Sequence, residues 1–294
     1  MPNPYLDFPG DYNLNKIEII TASGEVLPLR MGMIVELNIF EDIESSALTG
    51  SMAIIDSSNI ISNAPLQGNE RLVFKLSTPV SEYDERVAID ASQETGFPFH
   101  IYAIKKRAIQ SETLSSYNIQ FCSRELLRNA RTKVSQAFEG ELHQAAIKIL
   151  RDKNGLDSVK RLHFEPTKDI DKVVIPNMRP FEALDLISDR ALSKNSEAAG
   201  YYFYETTKGF HFRSYESMLT TQGKYARPPK LILGYQPKAL PIQDRKNYNM
   251  YNVDSYEFIQ QFDTLSQQSM GTYSSRVITY SIYDKSYNIA DFNY

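Results

Sequence analysis

Apolar and polar positions alternate with a period of two through much of the first 122 residues. Met33–Phe40 sets Met33, Val35, Leu37 and Ile39 on one face and Glu36 and Asn38 on the other, which predicts a half-buried antiparallel strand. Ser51–Ile55 alternates Met52 and Ile54 against Ala53 and Ile55, and Arg71–Leu76 opposes Leu72, Phe74 and Leu76 to Arg71 and Lys75. Lys16–Ala22 and Val26–Leu29 flank Ser23-Gly24, a hairpin turn signal. Phe99–Lys106 and Tyr117–Cys122 are two further strands, joined by a hairpin connection at Ile109–Ser116. Between the Ser51 and Arg71 strands, Asp56-Ser57-Ser58-Asn59 offers turn-closing side chains, Ile60 and Ile61 tuck back, and Pro65 and Gly68-Asn69 punctuate the return. Thr78-Pro79 ends the second strand, because proline lacks the donor a central strand needs. A polar, acidic loop follows at Ser81–Gly96. Six or seven short strands with little helix is the spacing of an antiparallel barrel or sandwich.

The period changes after Ser123. Arg124–Arg131 is weakly amphipathic, and Lys133–Gly140 reads as a connecting segment. Glu141–Lys153 is the clearest helix: Leu142, Ala145, Ala146, Ile149 and Leu150 form one stripe, and Asn154-Gly155 stops it. A second helix is predicted at Pro180–Ser193, with Pro180 at its first position and Glu182 and Asp185 near its positive end. Gly200–Glu205 and Gly209–Ser214 then make an aromatic hairpin across Thr206–Gly209, so this region is α+β. Gly223–Ala239, rich in Lys, Arg and Pro, reads as a linker and surface loop. Val253–Phe262 and Thr272–Asp284 read as two more strands with Ser266–Gly271 between them. At the other end, Met1–Asn13 holds three prolines and reads as an extended arm.

Composition narrows the picture. The chain has 294 residues, enough for about two domains. It has 19 Tyr and 15 Phe but no Trp, which suits strands and wet protein interfaces. A formal net charge of −4 leaves no general basic footprint for nucleic acid. Cys122 is alone, so no internal disulfide forms, and a small core residue in a reducing compartment is the expectation. The first residues lack the basic and apolar regions of a signal peptide, and no apolar run approaches a membrane span.

Candidate chemistry is sparse. The chain contains no phosphate-binding glycine loop, no G-x-S-x-G elbow and no H-E-x-x-H. His100, His143, His163 and His211 are scattered, with no pair at ligand spacing; His100 and His211 fall in predicted strands and His143 on the exposed side of a helix. Glu216-Ser217 matches the opening pair of one transglycosylase motif, but it follows an aromatic hairpin with no partner motif downstream. The expectation is therefore no catalytic, cofactor-binding or metal-binding residue, no cofactor and no enzyme.

A resemblance supplies what the residues alone do not. SSALTGSMAIIDSSNIISNAPLQGNERLVFKLSTP resembles the first barrel of the central baseplate hub protein of contractile-tailed, T-even-like bacteriophages. FHIYAIKKRAIQSETLSSYNIQFCSRELLRN resembles that barrel's closing hairpin, and KVSQAFEGELHQAAIKIL the start of the family's helical insertion. NMRPFEALDLISDRALS and GYYFYETTKGFHFRSYESM resemble its helix-plus-hairpin module, in the same order. The resemblance implies a tail-tube-like antiparallel β-barrel at 1–123, an α+β insertion with two helices and an aromatic hairpin at 124–235, and the start of a second tube-like barrel at 236–294. The family's second barrel needs more strands than the chain has left, so this one is expected to be incomplete or finished by another subunit.

The implied role is structural. A homotrimer of two-barrel subunits would adapt a sixfold tail tube to a trimeric central spike in the virion's baseplate, after synthesis in the host bacterial cytoplasm. The implied partners are the chain itself, the tail tube protein, the central spike protein and other baseplate proteins. Double-stranded DNA would pass only in transit, and no small-molecule substrate is implied. The rivals are a hub of a type VI secretion or related contractile injection system, a tail-associated cell-wall hydrolase, and a carbohydrate-binding module built on Tyr and Phe platforms.

Overall fold

The computed structural model describes residues 12–57, 60, 66–77, 88–94, 96–111, 114–196, 199–219, 257 and 259–293. Several expectations lie wholly or mostly outside these residues: the arm Met1–Asn13, the turn at Pro65, the strand end at Thr78-Pro79, the first part of the acidic loop, and the linker Gly223–Ala239. The described residues fall into two compact units, one running to Leu219 and one beginning at Glu257. The chain is β-dominated, and the strand pairs of its largest sheet are antiparallel among the described residues.

That sheet contains β1 (Asn13–Ile20), β2 (Val26–Pro28), β3 (Ile34–Phe40), β4 (Thr49–Asp56), β5 (Arg71–Ser77), β6 (Ala88–Asp90), β7 (Phe99–Ser111) and β8 (Leu114–Cys122). Its order is β2-β1-β5-β7-β8-β4-β3, with β6 added on β5. One apolar core receives Ile19, Met52, Leu72, Phe74, Ile101, Ile119 and Phe121 from the strands, and also Leu29 and Met33 from the segment joining edge strands β2 and β3. Residues from both edges can meet those from the middle only if the sheet rolls around them, so it forms a barrel.

Two close details set this barrel. The predicted alternation of Met33–Phe40 breaks at Val35, which is 63% exposed, because the β3–β4 register shifts between Ile34 and Glu36. A bulge turns one side chain out and keeps Leu37 and Ile39 packed on the core. On β4, a Cβ at Gly50 would stand 2.3 Å from the Phe121 ring and 2.5 Å from the Asn38 carbonyl, so only glycine lets three strands approach there.

The α+β part has its own core. It comprises α1 (Arg124–Arg131), β9 (Val134–Gly140), α2 (Leu142–Arg151), β10 (Leu162–Phe164), β11 (Asp171–Met178), α3 (Pro180–Arg190), β12 (Tyr201–Thr206), β13 (Gly209–Ser214) and α4 (Tyr215–Leu219). The two expected helices and the aromatic hairpin are present, joined by helices α1 and α4. The expected connecting segment is instead β9, antiparallel to β11. A short strand, β10, adds parallel to β13, giving the order β10-β13-β12. Helix α2 contributes Leu142, Ala145, Ala146, Ile149 and Leu150 to a core shared with Phe181, Leu184 and Ile187 of α3 and Phe203, Phe210 and Phe212 of the hairpin. Asn129 of α1 accepts from the Phe181 backbone N–H at 2.9 Å, and Glu182 accepts from the Arg179 N–H at 3.0 Å, so donors at the start of α3 are satisfied.

In the second unit, α5 (Thr264–Ser269) stands where a connection was expected, capped by Asp263, which accepts from the Ser266 N–H at 3.0 Å. The strand expected at Val253–Phe262 is not seen in its described residues, 257 and 259–262, the rest lying outside. The strand expected at Thr272–Asp284 is β14 (Ser274–Ser281), and Ser286–Asn293 forms β15, paired antiparallel with β14 along its whole length. The C-terminal segment thus has a strand partner in its own chain. No helix among the described residues is long and apolar enough to cross a membrane.

Candidate functional site

The most unusual chemistry lies where the two cores of the larger unit meet. Ala47 packs in the α+β core, and its neighbour Leu48 packs in the barrel core. The Leu48 backbone N–H donates to Glu205 Oε2 on β12 at 2.9 Å, and Ser123 Oγ, at the exit of β8, donates to the same oxygen at 2.6 Å. Lys160 Nζ reaches Glu205 Oε1 at 2.6 Å and Glu125 Oε2 of α1 at 2.8 Å. Ser158 Oγ donates to the other oxygen of Glu125 at 2.6 Å. The ammonium also lies 5.6 Å from the Phe97 ring centre and 5.7 Å from that of Phe210.

All three charged side chains are buried, at 9% or less side-chain exposure. Isolated charges would not survive there; a hydrogen-bonded cluster does. For Glu205 burial dominates and holds its pKa above the ordinary carboxylate range, against the pull of Lys160. For Glu125 burial also opposes ionisation, but Lys160 and the hydrogen bonds from Lys160 and Ser158 outweigh it, and the pKa is lowered. Burial works to lower Lys160, yet the two carboxylates prevail and raise it. Two carboxylates thus share one ammonium, with the pKa of Glu125 held down and that of Glu205 held up. Cys122, alongside, is a buried thiol whose pKa is pushed up to about 12 by burial first and by Glu205 next, which favours the protonated thiol.

A cavity of about 100 Å³ borders this cluster, lined among others by Phe97, Phe99, Lys160, Glu205 and Thr207. A second, of about 290 Å³, lies between β9 and the end of α2, with Lys133, Phe138, Lys148 and Asp152 in its wall. A further buried carboxylate, Glu165, accepts from Ser193 Oγ, from the Ser214 N–H at 2.9 Å and from Ser214 Oγ at 2.7 Å, fixing the start of α4.

The four histidines sit differently from their expected places in two respects. His100 and His211 are in β7 and β13, as the strand pattern requires. His143 is buried rather than exposed: it lies beside the helix stripe, stacks on Phe164 at 5.2 Å and shares a 3.2 Å hydrogen bond with Thr167 Oγ1. The loop after β10 covers a face that α2 alone would leave open. His163 and His211, far apart in sequence, are brought face to face at 4.8 Å because β10 and β13 are in register there. Tyr204 continues the stack on His211 at 4.8 Å. Burial first, then His163, Arg213 and Lys208, push His211 down to about 4, and burial first, then Arg161, lowers His163. This pair is a face-to-face stack of two rings whose pKa values are held down. Among the described residues no three His, Cys, Asp or Glu side chains gather as metal ligands. Glu216 is an exposed residue of α4, whereas a general acid of that kind sits in an apolar setting.

No protein-family model matches the chain, and no curated protein matches its sequence. Among solved structures it is similar to the 43 kDa tail protein of prophage MuSo2 from Shewanella oneidensis, with a TM-score of 0.43 and 11% identity over 68% of this chain and 53% of that one. It is similar to a tail protein from Neisseria meningitidis MC58, with a TM-score of 0.41 and 12% identity over 68% and 50%. A third is the E. coli c3393 protein, a component of the type VI secretion system, with a TM-score of 0.38 and 12% identity over 70% and 50%. The chain spans about half the length of these structures. Its structural neighbours are phage tail and type VI secretion proteins.

Proposed function

We propose that the chain is a structural component of a phage tail baseplate, the central hub that adapts a sixfold tube to a threefold spike, and not an enzyme. The observation that carries this reading is the agreement between resemblance and architecture. The stretches that resemble the hub family fall, in order, on β4–β5, on β7–β8 with α1, on β9–α2, and on α3 with the β12–β13 hairpin. Each stretch falls on strands or helices, so the resemblance is not confined to turns. The proposed domains are a barrel at 1–123, an α+β insertion at 124–235 and a third region at 236–294.

In this reading the mechanism is geometric. A rigid barrel supplies a wall segment, the inserted module sets its spacing from neighbours, and threefold assembly closes the ring. The proposed partners are two further copies of the chain, the tail tube and spike proteins and other baseplate proteins, and the proposed location is the virion tail. Light scattering on the purified chain, alone and with its tube and spike proteins, tests it. The expected result is a complex containing three chains of 33.6 kDa. A chain that stays monomeric with both partners present, or that clears peptidoglycan in a zymogram, overturns it.

A further inference from the structure

The barrel and the α+β module hold separate apolar cores, and a buried ionic cluster sits where they join. No strand ladder runs from one sheet system into the other among the described residues. Glu205 accepts from both chain segments at the crossing, the Leu48 N–H entering β4 and the Ser123 hydroxyl leaving β8. Lys160 clamps that carboxylate to Glu125 of α1, and a cavity of about 100 Å³ borders the cluster. At the rim, the Thr207 N–H donates to Glu41 Oε1 at 2.5 Å, an exposed contact. Interfaces inside a chain that are small and polar permit relative motion, whereas large apolar ones resist it. A fully partnered charge cluster has one good arrangement, and losing one partner leaves an uncompensated buried charge that favours opening to water.

We propose that Lys160 is a latch: it holds the α+β module at one orientation to the barrel, and the junction becomes a hinge once Lys160 no longer bridges Glu125 and Glu205. Each module is expected to keep its own fold when the latch is open, because each has an apolar core of its own, with Ala47 packed across the boundary. The proposal stands independently of the hub reading, since it concerns motion within one chain and is tested on that chain alone.

Paired spin labels read the angle directly. Cysteines replace Ile109 on the barrel's β7–β8 hairpin, 73% exposed, and Lys172 on β11, 76% exposed; Cys122 is buried and stays unlabelled. The full chain should give one narrow distance distribution. Lys160→Met should shift and broaden it while circular dichroism remains that of a folded protein. Glu205→Gln, which keeps an acceptor but removes the charge, should broaden it less. Arg190→Ala, which breaks an exposed pair inside the module, should leave it unchanged. A folded Lys160→Met with the parental distribution overturns the latch. If Lys160→Met does not fold, Glu205→Gln decides, and an unchanged width there overturns it. Unfolding of both variants overturns it as well, since a latch must be separable from the fold it joins.

Discussion

In the barrel the buried carboxylates serve their own neighbourhood; in the α+β module they reach across the chain. Asp56 accepts from the Ile60 N–H at 2.7 Å, and Glu70 accepts from the Gln67 and Gly68 N–H groups at 2.7 and 2.8 Å. Asp56 also takes a 3.2 Å bond from Tyr117 on β8. The acids of the module bond at sequence separations of 28 for Glu165 to Ser193, 82 for Glu205 to Ser123 and 157 for Glu205 to Leu48. The barrel therefore rests on strand pairing and apolar packing, with charge used to finish turns. The module depends on charge to fix how distant segments meet. A local acid is replaceable by anything that closes the same turn, but a shared buried ammonium is not replaceable by one side chain.

The largest expected effect follows from that asymmetry. Lys160→Met leaves Glu125 and Glu205 facing each other without a cation, and breaking a buried pair in this way costs about 3–5 kcal/mol. Denaturant unfolding measures it. Adding Glu125→Gln and Glu205→Gln to Lys160→Met should recover much of the loss, because the stranded charges go with the ammonium. A single Lys160→Met as stable as the parent would show that the charges are spectators and break the comparison.

In the barrel a comparable disturbance has to be steric. Gly50→Ala drives a methyl into Phe121 and the Asn38 carbonyl, and overpacking of this kind costs about 1–3 kcal/mol. Trimming the opposing ring with Phe121→Leu in the same chain should return part of that. Equal losses from Gly50→Ala with and without the ring would place the strain on the backbone alone.

A pH dependence is expected in both regions, since burial first also lowers His100 in β7. His211 and His163 have folded pKa values below the unfolded value of 6.5, His211 at about 4. The unfolded chain therefore binds more protons between these values, and the stability these groups contribute is present above pH 6.5 and lost as pH falls toward 4. The expected result is a melting temperature that drops across this window, with a shallower drop in His211→Gln. Carboxylates titrate in the lower part of the window in both proteins, so the difference between the two curves is the reading. Identical curves would remove the histidine stack from the account.

How much of this was legible in the sequence follows the same division. The barrel strands declare themselves because one face is buried against one core, so Leu72 and Phe74 or Ile119 and Phe121 alternate visibly. Helices α2 and α3 show their stripes for the same reason. β9 was read as a connection because its inward positions are Val134, Gln136, Phe138 and Gly140, of which only two are large and apolar. His143 was placed outward from its helix alone, and it is covered by Phe164 and Thr167, which no helix period can announce. The ionic cluster was invisible: Lys160 lies in an irregular segment, 35 residues from Glu125 and 45 from Glu205. Likewise His163 and His211 meet only through a parallel pairing whose intervening chain includes α3 and β12.

The smallest expected effect sharpens the comparison from the other side. Arg190 and Asp171 join α3 to β11 through a two-pronged contact, with bonds of 3.1 Å from Nε and Nη2, and both side chains are substantially exposed. An exposed pair gains little, because water competes for both partners and the long arginine must be held still, so Arg190→Ala should cost only about 0–1 kcal/mol. Added salt should erase even that, since at physiological ionic strength charges are screened over about 8 Å. The cost of Lys160→Met should barely move under the same salt series, because ions do not enter a site whose charged groups are less than a tenth exposed. Parallel denaturation of both variants in low and high salt is the decisive measurement. If salt reduced the two costs alike, the junction would be open to solvent, and the contrast between charge that finishes a turn and charge that joins two cores would fail.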